Sequence, residues 1–245
     1  MGARQVLEIA GADRVHFLQG LVSNDLRGLG KGPVYAALLT PQGKYLADFF
    51  LIEAGEAILL DVAASQADDL ARRLSLYRLR ADVRIGQSPL QVFCGTGPAP
   101  AAALPDPRHP GMGWRLYGAH AGDDGTDWAA LRVAHLIPEA GIELIPNETY
   151  ILEAGFERLH GVDFRKGCYV GQEVTARMKH KTELKKGLAQ VGVEGEAVPG
   201  TPILAGGKDA GTLLTRSGNR ALAWLRFDRA GEAMQAGAAT VRWNG

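Results

Sequence analysis

From Gly187 onward one pattern recurs: the segments Ala189 to Val193, Gly211 to Thr215, Ala221 to Phe227 and Thr240 to Trp243 alternate in polarity, and Pro199-Gly200, Gly206-Gly207 and Ser217-Gly218 separate them. This tail limits the fold more than any other feature. A period of two lets a strand bury one face, and strands joined by tight turns pair antiparallel. Strands this short leave unpaired edges unless the sheet closes or stacks, so a small antiparallel barrel or sandwich is expected.

Upstream the texture is mixed. Val6 to Ile9 reads as a strand, Gly11-Ala12-Asp13 as a turn with an N-cap, and Val15, Leu18 and Val22 recur at helical spacing. Gly28 to Pro33 breaks that helix. The run lacks the Walker spacing and follows a helix rather than a strand, so it is a turn and not a phosphate loop. Val34 to Thr40 and Tyr45 to Ile52 flank Pro41-Gln42-Gly43 as a hairpin would, and Leu59 to Val62 and Leu90 to Cys94 add strands. Asp68 to Arg80 carries Leu70, Leu74 and Tyr77 on one face and Arg72, Arg73 and Arg80 elsewhere, an amphipathic helix whose charged side is an RNA or partner surface or, as is usual, simply solvated. Five prolines between Gly97 and Gly113 mark a linker between modules. Asp127 then caps a helix bearing Trp128, Leu131, His135 and Leu136 on one face, which Pro138 stops. The class is α+β with a β-rich C-terminal domain.

With 27 Lys and Arg against 27 Asp and Glu, no global field gathers nucleic acid, so direct nucleic-acid binding is not expected. The apolar runs are far shorter than a membrane span, and none is expected. Two cysteines, Cys94 and Cys168, stand 74 positions apart without C-x-x-C, and no H-x-x-x-H occurs, so no metal or cluster site is expected of this chain alone. A Cys94–Cys168 disulfide is conceivable, but usage this sparse fits a reducing compartment. With no leader pattern in the first residues, the expected location is cytoplasmic.

One stretch carries chemistry: Lys166-Gly167-Cys168-Tyr169-Val170-Gly171-Gln172-Glu173-Val174-Thr175-Ala176-Arg177. Gly167 and Gly171 permit tight turning, and a helix starting near Glu173 places Cys168 close to its N-terminus. The positive helix end and the neighbouring Arg165 and Lys166 are then expected to favour the thiolate. The alternative is a small buried hydrophobe between two glycines. KGCYVGQEVTAR resembles the K-G-C-[FY]-x-G-Q-E-x-x-[AS]-R signature of the YgfZ branch of the glycine-cleavage T-protein fold. Phe17-Leu18-Gln19-Gly20, Ser23-Asn24-Asp25, Leu39 to Lys44, Leu76-Tyr77-Arg78-Leu79-Arg80 and the β-rich tail extend the likeness over nearly the whole chain. On the motif it carries over Lys166, Gly167, Cys168, Tyr169, Gly171, Gln172, Glu173 and Arg177.

The resemblance implies a T-protein-like cloverleaf of three subdomains around a central channel. The first region, 1–115, holds two interleaved subdomains, the second over roughly 34–115; residues 116–186 return to the first, and 187–245 form the barrel. It further implies a tetrahydrofolate-binding protein that supports assembly or repair of iron-sulfur enzymes, among them tRNA-modifying ones, with iron-sulfur proteins or cluster-assembly factors as partners. A pterin offers a paired N–H edge to a carboxylate and a flat face to an aromatic ring. Glu143 stands at the place comparable to the T-protein glutamate, and Trp128 is either the stacking ring or core. Asn24 and Gln19 either line the channel or cap a turn. In the T-protein a G-G-I-x-D-D loop supplies the acid for one-carbon transfer. Here Gly43-Lys44-Tyr45-Leu46-Ala47-Asp48 keeps only Asp48, which is that acid or a solvent-facing strand residue. Aminomethyl transfer is therefore the alternative, its motif is incomplete, and turnover of folate stays open beside a non-catalytic adaptor role.

Overall fold

The computed structural model describes residues 2–180, 183–231 and 233–245. Its first sheet has the order β2-β3-β4-β1-β5, formed by β1 (Arg4–Ala10), β2 (Val34–Leu39), β3 (Tyr45–Ala54), β4 (Ala57–Ala63) and β5 (Arg84–Gln87). The 34–52 hairpin is present as expected. β2 is buried along its whole length and β3 over its first eight residues, so alternate residues face two different cores. Leu7, Ile9, Leu38, Phe49, Leu51 and Leu60 face one core. That side is covered by α1 (Arg14–Gln19) and α2 (Ala64–Tyr77), whose Leu70 and Leu74 reach down to it. Val6, Tyr35, Phe50, Ile52 and Leu59 face the other.

The 28–32 glycine run is a turn as expected: Gly28 and Gly30 lie in a 3₁₀ segment, Leu26–Lys31, capped by the Asp25 carboxylate on the Arg27 amide, and Gly32 closes it. Two local expectations need correction. Helix α2 begins earlier than expected, at Ala64, and ends earlier, at Tyr77, because Leu79 takes φ 45°, which no right-handed helix accommodates, and so cannot continue it. The proline-rich stretch is not a linker: it contributes β7 (Leu104–Pro105) to a second sheet, β7-β8-β6-β9, with β6 (Gln91–Gly95), β8 (Trp114–Gly118) and β9 (Gly122–Asp123). It also sinks Asp106 and Arg108 into the interior as an ion pair at 2.7 Å.

Asp127 caps α3 (Trp128–His135) by accepting from the Ala130 amide, and α4 (Gln172–His180) follows the cysteine motif. The expected barrel is closed, in the order β10-β13-β12-β11-β14-β15. Its strands are β10 (Lys186–Glu194), β11 (Pro202–Ala205), β12 (Lys208–Ser217), β13 (Arg220–Arg226), β14 (Met234–Ala236) and β15 (Ala239–Arg242), around a core that includes Val191, Ile203, Leu213 and Val241. Val133 of α3 packs on Leu188 and Leu222, seating the barrel on the body.

Candidate functional site

Strand parity builds the site. Arg4, Asp48, Phe50 and Asp61 share the register of Val6, Tyr35 and Leu59, so they project from the second face of the first sheet. There they meet Arg108 and Arg115 of the second sheet and its connections, and Trp128, Arg132 and Glu139 from α3 and the segment after it. Together these residues enclose a cavity of about 170 Å³, lined by all of them except Asp61.

Its charges are arranged in buried pairs. Asp61 accepts from Arg4 Nε at 2.7 Å, from Arg115 Nη2 at 2.6 Å and from the Tyr117 hydroxyl at 3.0 Å. Burial opposes its ionisation, but Arg115 and Arg4 hold the carboxyl below its ordinary value. Arg115 lies 4.0 Å and Arg108 4.8 Å from the Phe50 ring centroid. Asp48 is buried, not solvent-facing, and takes the hydroxyls of Tyr45 at 2.7 Å and Tyr35 at 2.9 Å. Each oxygen keeps a second acceptor position. Burial, then the charge of Asp48, raises both tyrosines well above their usual range, so they remain donors.

Glu143 is not a cavity wall. It is fully buried, paired with Arg132, accepts from the Thr215 amide at 3.3 Å, and its carbonyl receives Trp224 Nε1 at 3.1 Å, so it ties the body to the barrel. The carboxylate that faces the cavity on this side is Glu139, held by Arg132 Nη1 at 2.8 Å and by the Gly2 amide at 3.1 Å. Trp128 lines the cavity and belongs to the core as well, its Nε1 donating to Asp123 at 2.9 Å. Arg4, Arg108, Arg115 and Glu139 were missed from sequence. A usable signal was Asp61, a carboxylate inside the apolar run Ile58–Val62, which demanded buried cations as partners.

Asn24 and Gln19 do not line this cavity. Asn24 donates to the carbonyls of Tyr35 at 2.8 Å and His160 at 2.6 Å, and Gln19 accepts from the Leu26 amide at 2.9 Å, so both shape the turn after α1. Asn24 borders a separate, open cavity of about 440 Å³.

The cysteine motif forms a second centre. Cys168 is exposed, Cys94 is buried, and both are free thiols, so neither the disulfide nor burial of Cys168 holds. Its neighbours are anchors. Lys166 is buried, with Nζ donating to the carbonyls of Gln19 at 2.8 Å and Val22 and lying 4.9 Å from the Tyr169 ring centroid. Burial lowers the ammonium to about 8. Tyr169 is buried in the second core. The charges expected around the thiol are placed otherwise: Lys166 is engaged by those carbonyls and Arg165 points to solvent beside Asp163. Helix α4 starts at Gln172, one residue before the expected Glu173. Gly171 has φ 84°, and a Cβ there would meet the Thr40 carbonyl at 2.6 Å, which requires glycine; Gly167 has neither constraint. Glu173 and Arg177 pair with each other at 2.9 Å on the exposed side of α4, whose first residue is Gln172. Among the described residues, none of 163–173 lines the first cavity.

Three comparisons bear on these two centres. Residues 185–244 match the family model described as CAF17, C-terminal beta-barrel domain. The chain is 31% identical to "Iron-sulfur cluster assembly factor IBA57, mitochondrial" of Homo sapiens, over 92% of this chain and 76% of that protein. The Mus musculus counterpart gives 30%, with 93% and 77% covered. Against the IBA57 homolog of Mycosarcoma maydis identity is 31%, but only 54% of that protein is covered; the chain spans little more than half the length of such fungal relatives. In structure it resembles the glycine cleavage system aminomethyltransferase T of Bartonella henselae, with a TM-score of 0.74 at 13% identity over 97% of this chain and 81% of the other. That likeness establishes the expected T-protein-like fold. The mitochondrial descriptions of the relatives contradict the cytoplasmic location expected above, since free thiols report a reducing environment and not one compartment.

Proposed function

The chain belongs to the family of the IBA57 iron-sulfur cluster assembly factors, and from that membership we propose that it supports assembly or repair of iron-sulfur enzymes through two separate centres. One is the cavity, as a tetrahydrofolate site; the other is the Cys168 loop, as the point of contact with a cluster, a carrier or a client protein. tRNA-modifying enzymes are among the proposed clients. The observation that carries the reading is the exposure of Cys168 between two buried anchors, Lys166 and Tyr169. A thiol left open on a loop pinned from both sides is built to meet another molecule.

The cavity suits the head of a folate. With about 170 Å³ and an opening to the outside, it has room for the flat bicyclic ring, and the rest of the ligand can extend outward. Glu139 supplies the carboxylate that accepts a paired N–H edge, and Phe50 and Trp128 supply flat apolar walls. Bound there, tetrahydrofolate would bring a one-carbon acceptor nitrogen. The chain's own residues orient the ring, and the arginines of the wall are held by carboxylates: Arg4 and Arg115 by Asp61, Arg108 by Asp106 and Arg132 by Glu139.

One observation favours a second reading, one-carbon transfer: Asp48 reaches the cavity with acceptor positions to spare. The deciding experiment is complementation of cells lacking the gene with wild type, Cys168→Ala and Glu139→Gln, scored by iron-sulfur enzyme activities. The proposal expects loss with Cys168→Ala. Full activity with Cys168→Ala, or formation of methylene-tetrahydrofolate by the purified protein from an aminomethyl donor, selects the transferase instead.

A further inference from the structure

At the C-terminal end of α2 the surface carries an apolar display that folding does not explain. Leu76 is 70%, Tyr77 39% and Leu79 88% exposed, three of the seven large apolar side chains exposed among the described residues, within four positions. A fourth, Val15, sits on α1, whose cap Asp13 is tied to this region by its carboxylate on the Asp82 amide at 2.8 Å. Leu79 also holds φ 45°, a left-handed conformation that L residues other than glycine rarely adopt. Strain and exposed apolar area are thus combined in a side chain that covers no core, the pattern of a residue kept for contact.

The surroundings are basic. Arg72 and Arg73 share Asp69, whereas Arg78 has, among the described residues, a single long side-chain bond, to the Val83 carbonyl at 3.5 Å, and Arg80 and Arg84 are exposed on the same stretch. Over residues 68–84 these arginines stand against Asp68, Asp69 and Asp82, which leaves a modest local basic excess in a chain of zero formal charge. Tyrosine, leucine and arginine side by side are the composition of a protein interface, where arginine pairs with carboxylates in bidentate fashion. A second copy is a poor occupant, because an isologous contact sets arginine against arginine. The patch lies on the opposite side of the first sheet from the cavity. Helix α2 starts at the cavity wall with Ala64 and runs 14 residues away from it, about 20 Å at 1.5 Å per residue.

We propose that Leu76, Tyr77, Leu79 and the arginines around them dock an acidic protein surface with an apolar notch, leaving the folate cavity open. The defined probe is a labelled synthetic amphipathic helix with leucines along one face and glutamates elsewhere, titrated by anisotropy at low and high salt. A lysine version of the peptide and phosphatidylserine-containing vesicles serve as competitors for the assignment. Wild type is expected to bind the acidic peptide, to bind it about tenfold more weakly at high salt, and to bind it about tenfold more weakly again after Leu79→Glu with Arg80→Glu. Leu79→Gly keeps the test open if the double variant misfolds: it relieves the backbone, so it folds at least as stably as wild type, and it too loses binding. Equal affinity for wild type and Leu79→Gly, preference for the lysine peptide, or binding to vesicles in place of the peptide overturns the proposal. Tetrahydrofolate titration of the same variants reads the cavity separately, so failure of one leaves the other standing.

Discussion

Glu139 faces the cavity with a carboxylate that Arg132 Nη1 holds at 2.8 Å, whereas Glu143, four residues on, is sealed beneath the same guanidinium and joined to the barrel. The two acids should therefore separate on mutation. Glu139→Gln removes a charge-assisted acceptor, an interaction of about 1.5–3 kcal/mol, and is expected to weaken tetrahydrofolate about tenfold or more. Glu143→Gln leaves Arg132 short of its buried counter-ion and is expected to cost stability instead, roughly 3 kcal/mol. Calorimetric titration and urea unfolding of both variants check this pair of outcomes.

Asp61 is the counter-ion for two arginines, and its carboxyl is ionised below its ordinary value in the folded protein. Stability from this group is present above the unfolded pKa, near 4, and is lost as pH falls through the lower folded value. Asp61→Asn is expected to destabilise by about 3–5 kcal/mol at neutral pH and to flatten the acid limb of the stability profile. An unchanged acid limb in urea titrations between pH 3 and 6 counts against Asp61 as a major source of it.

Lys166 gives the opposite limb. Burial lowers its ammonium to about 8 from an unfolded value of 10.5. Between these values the unfolded chain binds more protons, so this residue makes stability rise with pH from about 8 upward and withdraws that gain as pH falls through 8. Comparing wild type with Lys166→Met, the difference in unfolding free energy should shift in favour of wild type between pH 7 and 9.5. A pH-independent difference contradicts the buried, carbonyl-bound ammonium.

Gly171 and Gly167 flank Cys168 in one motif but carry different constraints. Gly171→Ala places a Cβ 2.6 Å from the Thr40 carbonyl at φ 84° and is expected to destabilise by about 1–3 kcal/mol. Gly167→Ala meets nothing within 4 Å and should stay within about 0.5 kcal/mol of wild type. Thermal unfolding of the two variants, read side by side, tests how the loop is pinned.

The parts of this molecule that were legible in the sequence are those whose cause is local. Alternation between tight turns announced the barrel, and Asp127 before an apolar helical face announced α3. What escaped has its cause far along the chain. Asp106 and Arg108 looked like linker because their burial depends on Arg115, Tyr35 and Phe50, brought over them by sheet packing. Glu143 was singled out as an acid, but its partners are the buried Arg132 and Thr215, the latter 72 positions away on the barrel, and these contacts turn it inward. Asn24 and Gln19 carried the right chemistry for a channel, and the nearby carbonyls of Tyr35 and amide of Leu26 claimed it first. The motif itself read correctly as a turn into a helix, while the direction of Lys166 depended on carbonyls 144 and 147 positions earlier.

Independence of the two proposed centres is tested most directly by equilibrium binding of tetrahydrofolate to anaerobically purified wild type and Cys168→Ala, alongside iron-sulfur enzyme activity in cells carrying each form. Equal folate affinity with activity restored by wild type alone is the predicted result. Absence of folate binding by wild type, or activity restored equally by Cys168→Ala, contradicts it.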